Sequence, residues 1–208
     1  MDPAITPTRM NLRQTRADLR VELRDGILLA AAEILATEGP AALTLRRLAQ
    51  EVGASTKVVY TLFGGKDGLL DALYLSAFEG LAMAQRKCLE VDEAGARLIA
   101  ICQAYRRYAL DHRALYGVMF GELARGYEAP IENRRQAWET FRTLRDTLRA
   151  CAPGRDVAEL DLAARTLWSV IHGVVSLELQ NLLGGVPETA EQAFDRAVSA
   201  VLRDFKLA

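Results

Sequence analysis

The run TKVVYTLFGGK, Thr56 to Lys66, gathers side chains that suit a polyanion and a polar groove. Thr56, Lys57, Tyr60 and Thr61 fall on the outward side of a short helix whose inward side carries Val59 and Phe63. Small hydroxyls, an ammonium and a phenol are sized to enter a major groove or to bond a phosphate oxygen. Gly64-Gly65-Lys66 then opens another helix, where free backbone N–H groups and the Lys66 ammonium suit a phosphate as well. A solvated polar face between two glycine turns is the plainer account of the same residues.

A second group lies in the later two thirds of the chain. His172 stands in Trp168-Ser-Val-Ile-His172-Gly173, and apolar stripes elsewhere supply Tyr105, Tyr108, Met119, Phe120, Trp138 and Phe141. Aromatic rings and a thioether from three helices, set around one imidazole and Trp168, suit an apolar small-molecule cavity. Taken singly, each of these residues is more often plain core, and a lone histidine on a mostly apolar helix is more often a satisfied core group.

Covalent and hydrolytic chemistry has little to draw on. The sequence holds no G-x-S-x-G, no G-x-x-x-x-G-K-[ST] and no H-E-x-x-H. Two histidines and three dispersed cysteines, Cys88, Cys102 and Cys151, make no metal-ligand spacing, so neither metal nor cofactor is expected. The expectation is a protein that binds rather than an enzyme.

The elements that must position these groups are all helical. Leu23, Ile27, Ala31, Ile34 and Leu35 recur at helical spacing in a segment that can begin near Leu12 and ends at Gly39-Pro40. Thr44 is placed to cap a short helix through Glu51, and Ser55 one through Phe63. Gly53 between them fits a turn that needs positive φ. A short helix, a glycine turn and a second short helix form a helix-turn-helix, locked by Leu48, Ala49, Val52, Val59 and Phe63. A long helix follows from Lys66 to about Glu90, then helices at roughly 94–110, 113–124, 131–151, 156–183 and 188–206. The fold class expected is all-α with about nine helices. The division expected is a basic arm over 1–20, a helix-turn-helix unit over 21–66 and a larger ligand-binding and dimerisation domain over 67–208.

Half of the 208 residues are hydrophobic, a quarter are charged, and the net charge is −1. Affinity for nucleic acid must therefore come from a local patch. Arg9, Arg13, Arg16, Arg20 and Arg24 would form such a patch on one face of a helix, with Asp18, Glu22 and Asp25 opposite. The first residues lack a signal-peptide core, and no run of 18 apolar residues occurs. The expectation is a cytoplasmic protein without a membrane partner.

The run TLRRLAQEVGASTKVVYTLFGGKDGLL, Thr44 to Leu70, resembles the N-terminal signature of the TetR (tetracycline-repressor) family, and the likeness covers about residues 24–75. It implies that Tyr60 and Lys66 hold phosphates. It implies as well that Thr56, Lys57 and Thr61 lie near base edges, with Arg46 near the backbone. Lys57 departs from the glycine common there and Leu62 from a polar residue. The Trp168–His172–Gly173 motif resembles a subgroup of the family named for those three residues.

The helix around 156–183 is apolar on more than one face, so it either fills one protomer's core or, with the last helix, forms a four-helix dimer interface. The resemblance implies the dimer. The function expected is a homodimeric, ligand-responsive regulator, most simply a repressor, released from a pseudo-palindromic double-stranded DNA operator by a small apolar effector. The helix from Lys66, with Gly68 and Gly80, would be the lever between the two activities. A regulator with no ligand, or one controlled by a protein partner, is the alternative.

Overall fold

The structure is a computed structural model that describes residues 12–120, 127–184 and 186–207. Among these residues it is all-α, with nine α-helices and no strand: α1 Leu12–Thr37, α2 Leu45–Glu51, α3 Thr56–Phe63, α4 Lys66–Lys87, α5 Ala94–Asp111, α6 Arg113–Met119, α7 Ile131–Cys151, α8 Val157–Leu179 and α9 Pro187–Asp204. No helix among them is long and apolar enough to cross a membrane. The chain divides into two compact units, 1–69 and 70–208.

In the first unit the inward stripe of α1, with Ile27, Ala31, Ile34 and Leu35, is buried together with Leu48 of α2 and Val59 and Phe63 of α3. Local chemistry sets the boundaries. The Thr44 hydroxyl accepts from the Arg47 N–H at 3.1 Å, and the Ser55 hydroxyl from the Val58 N–H at 3.4 Å. Gly53 takes φ +65° after α2, which lets the Ala54 N–H reach the Ala49 carbonyl at 2.9 Å and reverses the chain toward α3. Val52, expected inside, is only half-buried because it caps α2.

The second unit packs α5, α7, α8 and α9 around Leu98, Ile101, Leu144, Leu148, Leu167, Ile171 and Phe194, all nearly inaccessible. An ion pair fastens α5 to α8: Arg106 donates two hydrogen bonds to Glu178, at 2.8 and 2.6 Å, with both side chains largely buried. The same guanidinium lies 5.8 Å from the Phe194 ring of α9. Glu93 caps α5 by accepting from the N–H groups of Ala96 and Gly95, and these two bonds hold its carboxyl below the usual range.

Two boundaries differ from those read in the sequence. The helix from Lys66 gives way at Lys87 to a single 3₁₀ turn, Cys88–Glu90. The helix expected to reach 183 stops at Leu179, because Asn181 adopts φ +57° and lets the Leu182 N–H close onto the Leu177 carbonyl at 2.9 Å. The end of the expected 113–124 helix falls partly outside the described residues; α6 itself ends at Met119. The three cysteines are free, Cys102 buried and the other two half-buried. Burial pushes the Cys102 thiol up to about 12.

Candidate nucleic-acid interface and ligand site

In the first unit α3 exposes one face. Thr56, Lys57, Tyr60 and Thr61 are all exposed, and Tyr60 retains 60 % of its surface, whereas Val59 retains none. The Thr61 hydroxyl donates to the Lys57 carbonyl at 2.7 Å. Its outward chemistry is therefore a lone pair and a methyl, which suit a base amino group and a thymine methyl respectively. The Gly64 N–H ends the helix by donating to the Tyr60 carbonyl at 2.7 Å, with Gly64 at φ +74°.

Lys66 is exposed at the first residue of α4, beside Gly65. The first N–H groups of that helix have no carbonyl to bond within it. Gly68 has a role that the sequence does not display: a Cβ there would lie 1.8 Å from the Phe63 carbonyl oxygen, so α3 and the first turn of α4 approach at backbone distance.

The two adjacent arginines of α2 divide. Arg46 is exposed, as a backbone contact requires. Arg47 is held by Glu38 and by Glu51, each at 2.6 Å, and these partners raise its pKa. It braces the end of α1 against α2. Of the arginine stripe, Arg9 lies outside the described residues, Arg13 and Arg16 lie on α1, Arg20 is exposed, and Arg24 sits half-buried with its guanidinium 5.8 Å from the Phe63 ring. From Leu12 onward the arm and the first helix of the helix-turn-helix unit are one continuous helix.

In the second unit a polar knot forms among aromatic rings. The Tyr116 hydroxyl lies 2.7 Å and the Tyr105 hydroxyl 3.2 Å from Nδ1 of His172, and the two hydroxyls are 3.0 Å apart. The Phe120 ring lies 4.2 Å from the imidazole centroid, with Tyr116 and Trp168 at 5.8 and 6.5 Å. Burial first, then the neighbouring Tyr116 phenol, hold Tyr105 well above the usual tyrosine range, while a hydrogen bond from Trp168 acts against them. Tyr105 is thus a neutral phenol.

This arrangement gathers Tyr105, Phe120, Trp168 and His172 directly, and Phe141 through its ring contact with Trp168 at 5.8 Å. Three of the expected cavity residues lie elsewhere. Trp138 is 52 % exposed, because α7 turns its Phe141, Leu144 and Leu148 stripe inward and leaves position 138 on the rim. Tyr108 donates to the Ala77 carbonyl at 2.7 Å, and its ring lies 4.6 Å from that of His112. Met119 lines a different, more open cleft of about 360 Å³ with Tyr74, Tyr127 and Arg134. Beside the cluster, the space among Gln85, Tyr105, Phe141 and Trp168 is about 10 Å³. Tyr116 and Gln85 escaped the sequence reading. Both look like ordinary helix residues, and only the packing of α6 and α4 brings them to the centre.

Comparison with known proteins agrees with this architecture. Residues 27–73 match the model described as bacterial regulatory proteins, tetR family, and residues 98–201 match the tetracyclin repressor-like, C-terminal domain. The chain belongs to the TetR family. The second match spans half of its length. Neither description names the Trp-x-x-x-His-Gly subgroup, which rests on Trp168, His172 and Gly173 alone.

This TetR-family chain is 29 % identical over 118 residues to the HTH-type transcriptional regulator Rv1816 of Mycobacterium tuberculosis, which is 55 % of this chain. It spans about half the length of the curated relatives it matches, 50 % of Rv1816. Among solved structures, a protein described as regulatory, SCO4313, is 28 % identical, covers 95 % of this chain and 100 % of that one, and has a TM-score of 0.76. The TetR family transcriptional regulator PfmR from Thermus thermophilus is 26 % identical, covers 86 % of this chain and 95 % of that one, and has a TM-score of 0.63.

Proposed function

We infer that this TetR-family protein is a cytoplasmic, homodimeric transcriptional regulator that binds double-stranded DNA through α3 and answers a small, largely apolar effector in its second unit. The observation that carries the DNA reading is the exposed face of α3. It presents hydroxyls, an ammonium and a phenol without a packing reason, on a helix pinned from behind by Val59 and Phe63. Thr56, Lys57 and Thr61 read base edges; Tyr60, Lys66 and Arg46 hold phosphates.

Support for the dimer comes from α8. Its Leu162 and Leu177 are 58 % and 42 % exposed, and Val170 and Val174 on the same helix are half-buried. A Cβ built on Gly173 would meet nothing within 4 Å, although glycine inside a helix costs about 1 kcal/mol relative to alanine. A partner helix seated at Gly173 accounts for both. Two α3 helices then enter successive major grooves of a pseudo-palindrome, about 34–36 Å apart. Effector binding that changes this spacing by a coupling of about 1–3 kcal/mol gives a useful switch, and release from the operator makes the protein a repressor.

The small size of the space among Gln85, Tyr105, Phe141 and Trp168, about 10 Å³, favours a second reading, a regulator with no ligand or one under the control of a protein partner. One experiment separates the two. A duplex selected from a random pool is bound to the full chain, and a library of small uncharged compounds is screened for its release. Release by a compound that binds with one molecule per protomer supports the ligand-responsive reading. A complex indifferent to every compound, with melting curves equally indifferent, supports the second.

A further inference from the structure

The polar atom that the polar knot leaves out lies next to it. Gln85 of α4 is 3 % exposed, and its Oε1 has no hydrogen-bond partner among the described residues. Gln85 is itself a wall of the small space that Tyr105, Phe141, Trp168 and Ile171 also line. A buried amide oxygen left unpaired weakens a structure by roughly a factor of ten, the equivalent of about 1.4 kcal/mol. Such an atom is retained where something else supplies the donor.

The surroundings restrict what that can be. None of the residues lining the space is an aspartate, glutamate, lysine or arginine, so a charged group brought there would lose its water without gaining a counter-ion. The Nδ1 of His172 is already taken up by the Tyr116 and Tyr105 hydroxyls. The hydroxyl of Thr140, another wall of the space, donates to the Ala137 carbonyl at 2.7 Å. Acceptor oxygens at Gln85 and, its proton already given, at Thr140, with aromatic walls at Phe141 and Trp168 and aliphatic ones at Leu144 and Ile171, remain.

We propose that the effector is an uncharged aromatic molecule with a hydroxyl or N–H donor, and that Gln85 is the residue that selects for that donor. The proposal rests on the ligand-responsive reading above. At about 10 Å³ the space holds roughly one water, so the ligand enters by displacing a side chain. Phe141 is the wall with a way out. The exposed Trp138 and Arg165 lie over it, with the guanidinium 5.6 Å from the Phe141 ring and 5.8 Å from the Trp138 ring. Movement of Phe141 toward Trp138 opens a path that ends at Gln85 Oε1.

The test is calorimetric titration of the full chain with three matched probes: 4-ethylphenol, 4-ethylanisole and 4-ethylbenzoate. The first carries the donor, the second replaces its hydrogen with a methyl group, and the third is an anion. Wild-type protein should bind 4-ethylphenol about tenfold more tightly than the anisole, with the benzoate weakest. In Gln85→Met, a change of similar volume, the two neutral probes should bind alike. Equal binding of phenol and anisole to wild type, a preference that survives in Gln85→Met, tightest binding of the benzoate, or no binding of any probe each overturns the proposal. The wild-type comparison does not depend on the variant folding. If these outcomes occur while a compound of other chemistry still releases the selected duplex, the ligand-responsive reading stands and only the assignment to Gln85 falls.

Discussion

Lys66→Ala isolates the electrostatic part of DNA binding. Lys66 is exposed at the start of α4, and the Gly64–Gly65 turn sets it beside the end of α3. Each phosphate that a protein charge neutralises contributes about 0.9 to the slope of log affinity against log salt. A homodimer loses two such contacts, so the slope should flatten by about 1.8. Wild type should therefore lose about twelve times more affinity than the variant between about 50 and about 200 mM salt. Fluorescence anisotropy of a labelled, selected duplex across that range measures it directly. Thermal melting of the free variant should match wild type, because the removed ammonium is exposed. A slope unchanged from wild type would refute the assignment of Lys66 to a phosphate, whatever happens to the affinity at a single salt concentration.

Three further changes probe the frame of the two units. Gly53→Val should destabilise the protein by about 1–2 kcal/mol by thermal melting, because Gly53 sits at φ +65° while the space around its missing Cβ is open; Gly53→Asn should cost less. Arg106→Met should cost about 3 kcal/mol by leaving Glu178 unpaired between α5 and α8, and the double change with Glu178→Met should recover most of it in denaturant melts. Glu93→Gln should lower the melting temperature at neutral pH, where the carboxylate accepts from Ala96 and Gly95. Because folding depresses the Glu93 pKa, its contribution is present above the unfolded value and lost as pH falls through the folded one. The melting curves of wild type and variant should therefore converge in acid.

The reading head was legible because its determinants are local. Thr44, Gly53, Ser55 and Gly64 act within a few residues of themselves, through caps and backbone angles that a linear sequence displays. The Asn181 stop was missed for the opposite reason: the apolar pattern runs on through Leu182 and Leu183, and it takes a left-handed residue to end the helix before them. At the His172 cluster the residue types were readable but the partners were not. Tyr116 reaches the imidazole across 56 positions of sequence, and periodicity along α7 ranks Trp138 with Phe141 although only the latter turns inward. The Arg46–Arg47 pair was likewise silent in sequence. Glu38, nine residues upstream of Arg47, decides which of the two is engaged.

Selection of bound sequences from a random pool of duplexes by the purified chain bears most directly on the central claim. The account predicts enrichment of a pseudo-palindrome whose half-sites lie about one helical turn, or a multiple of it, apart. Replacing Lys57 with alanine should then change the preferred base at symmetric positions of both half-sites, and a uniform weakening of every site would contradict base reading by Lys57. A pool that emerges unenriched at modest ionic strength would contradict the account.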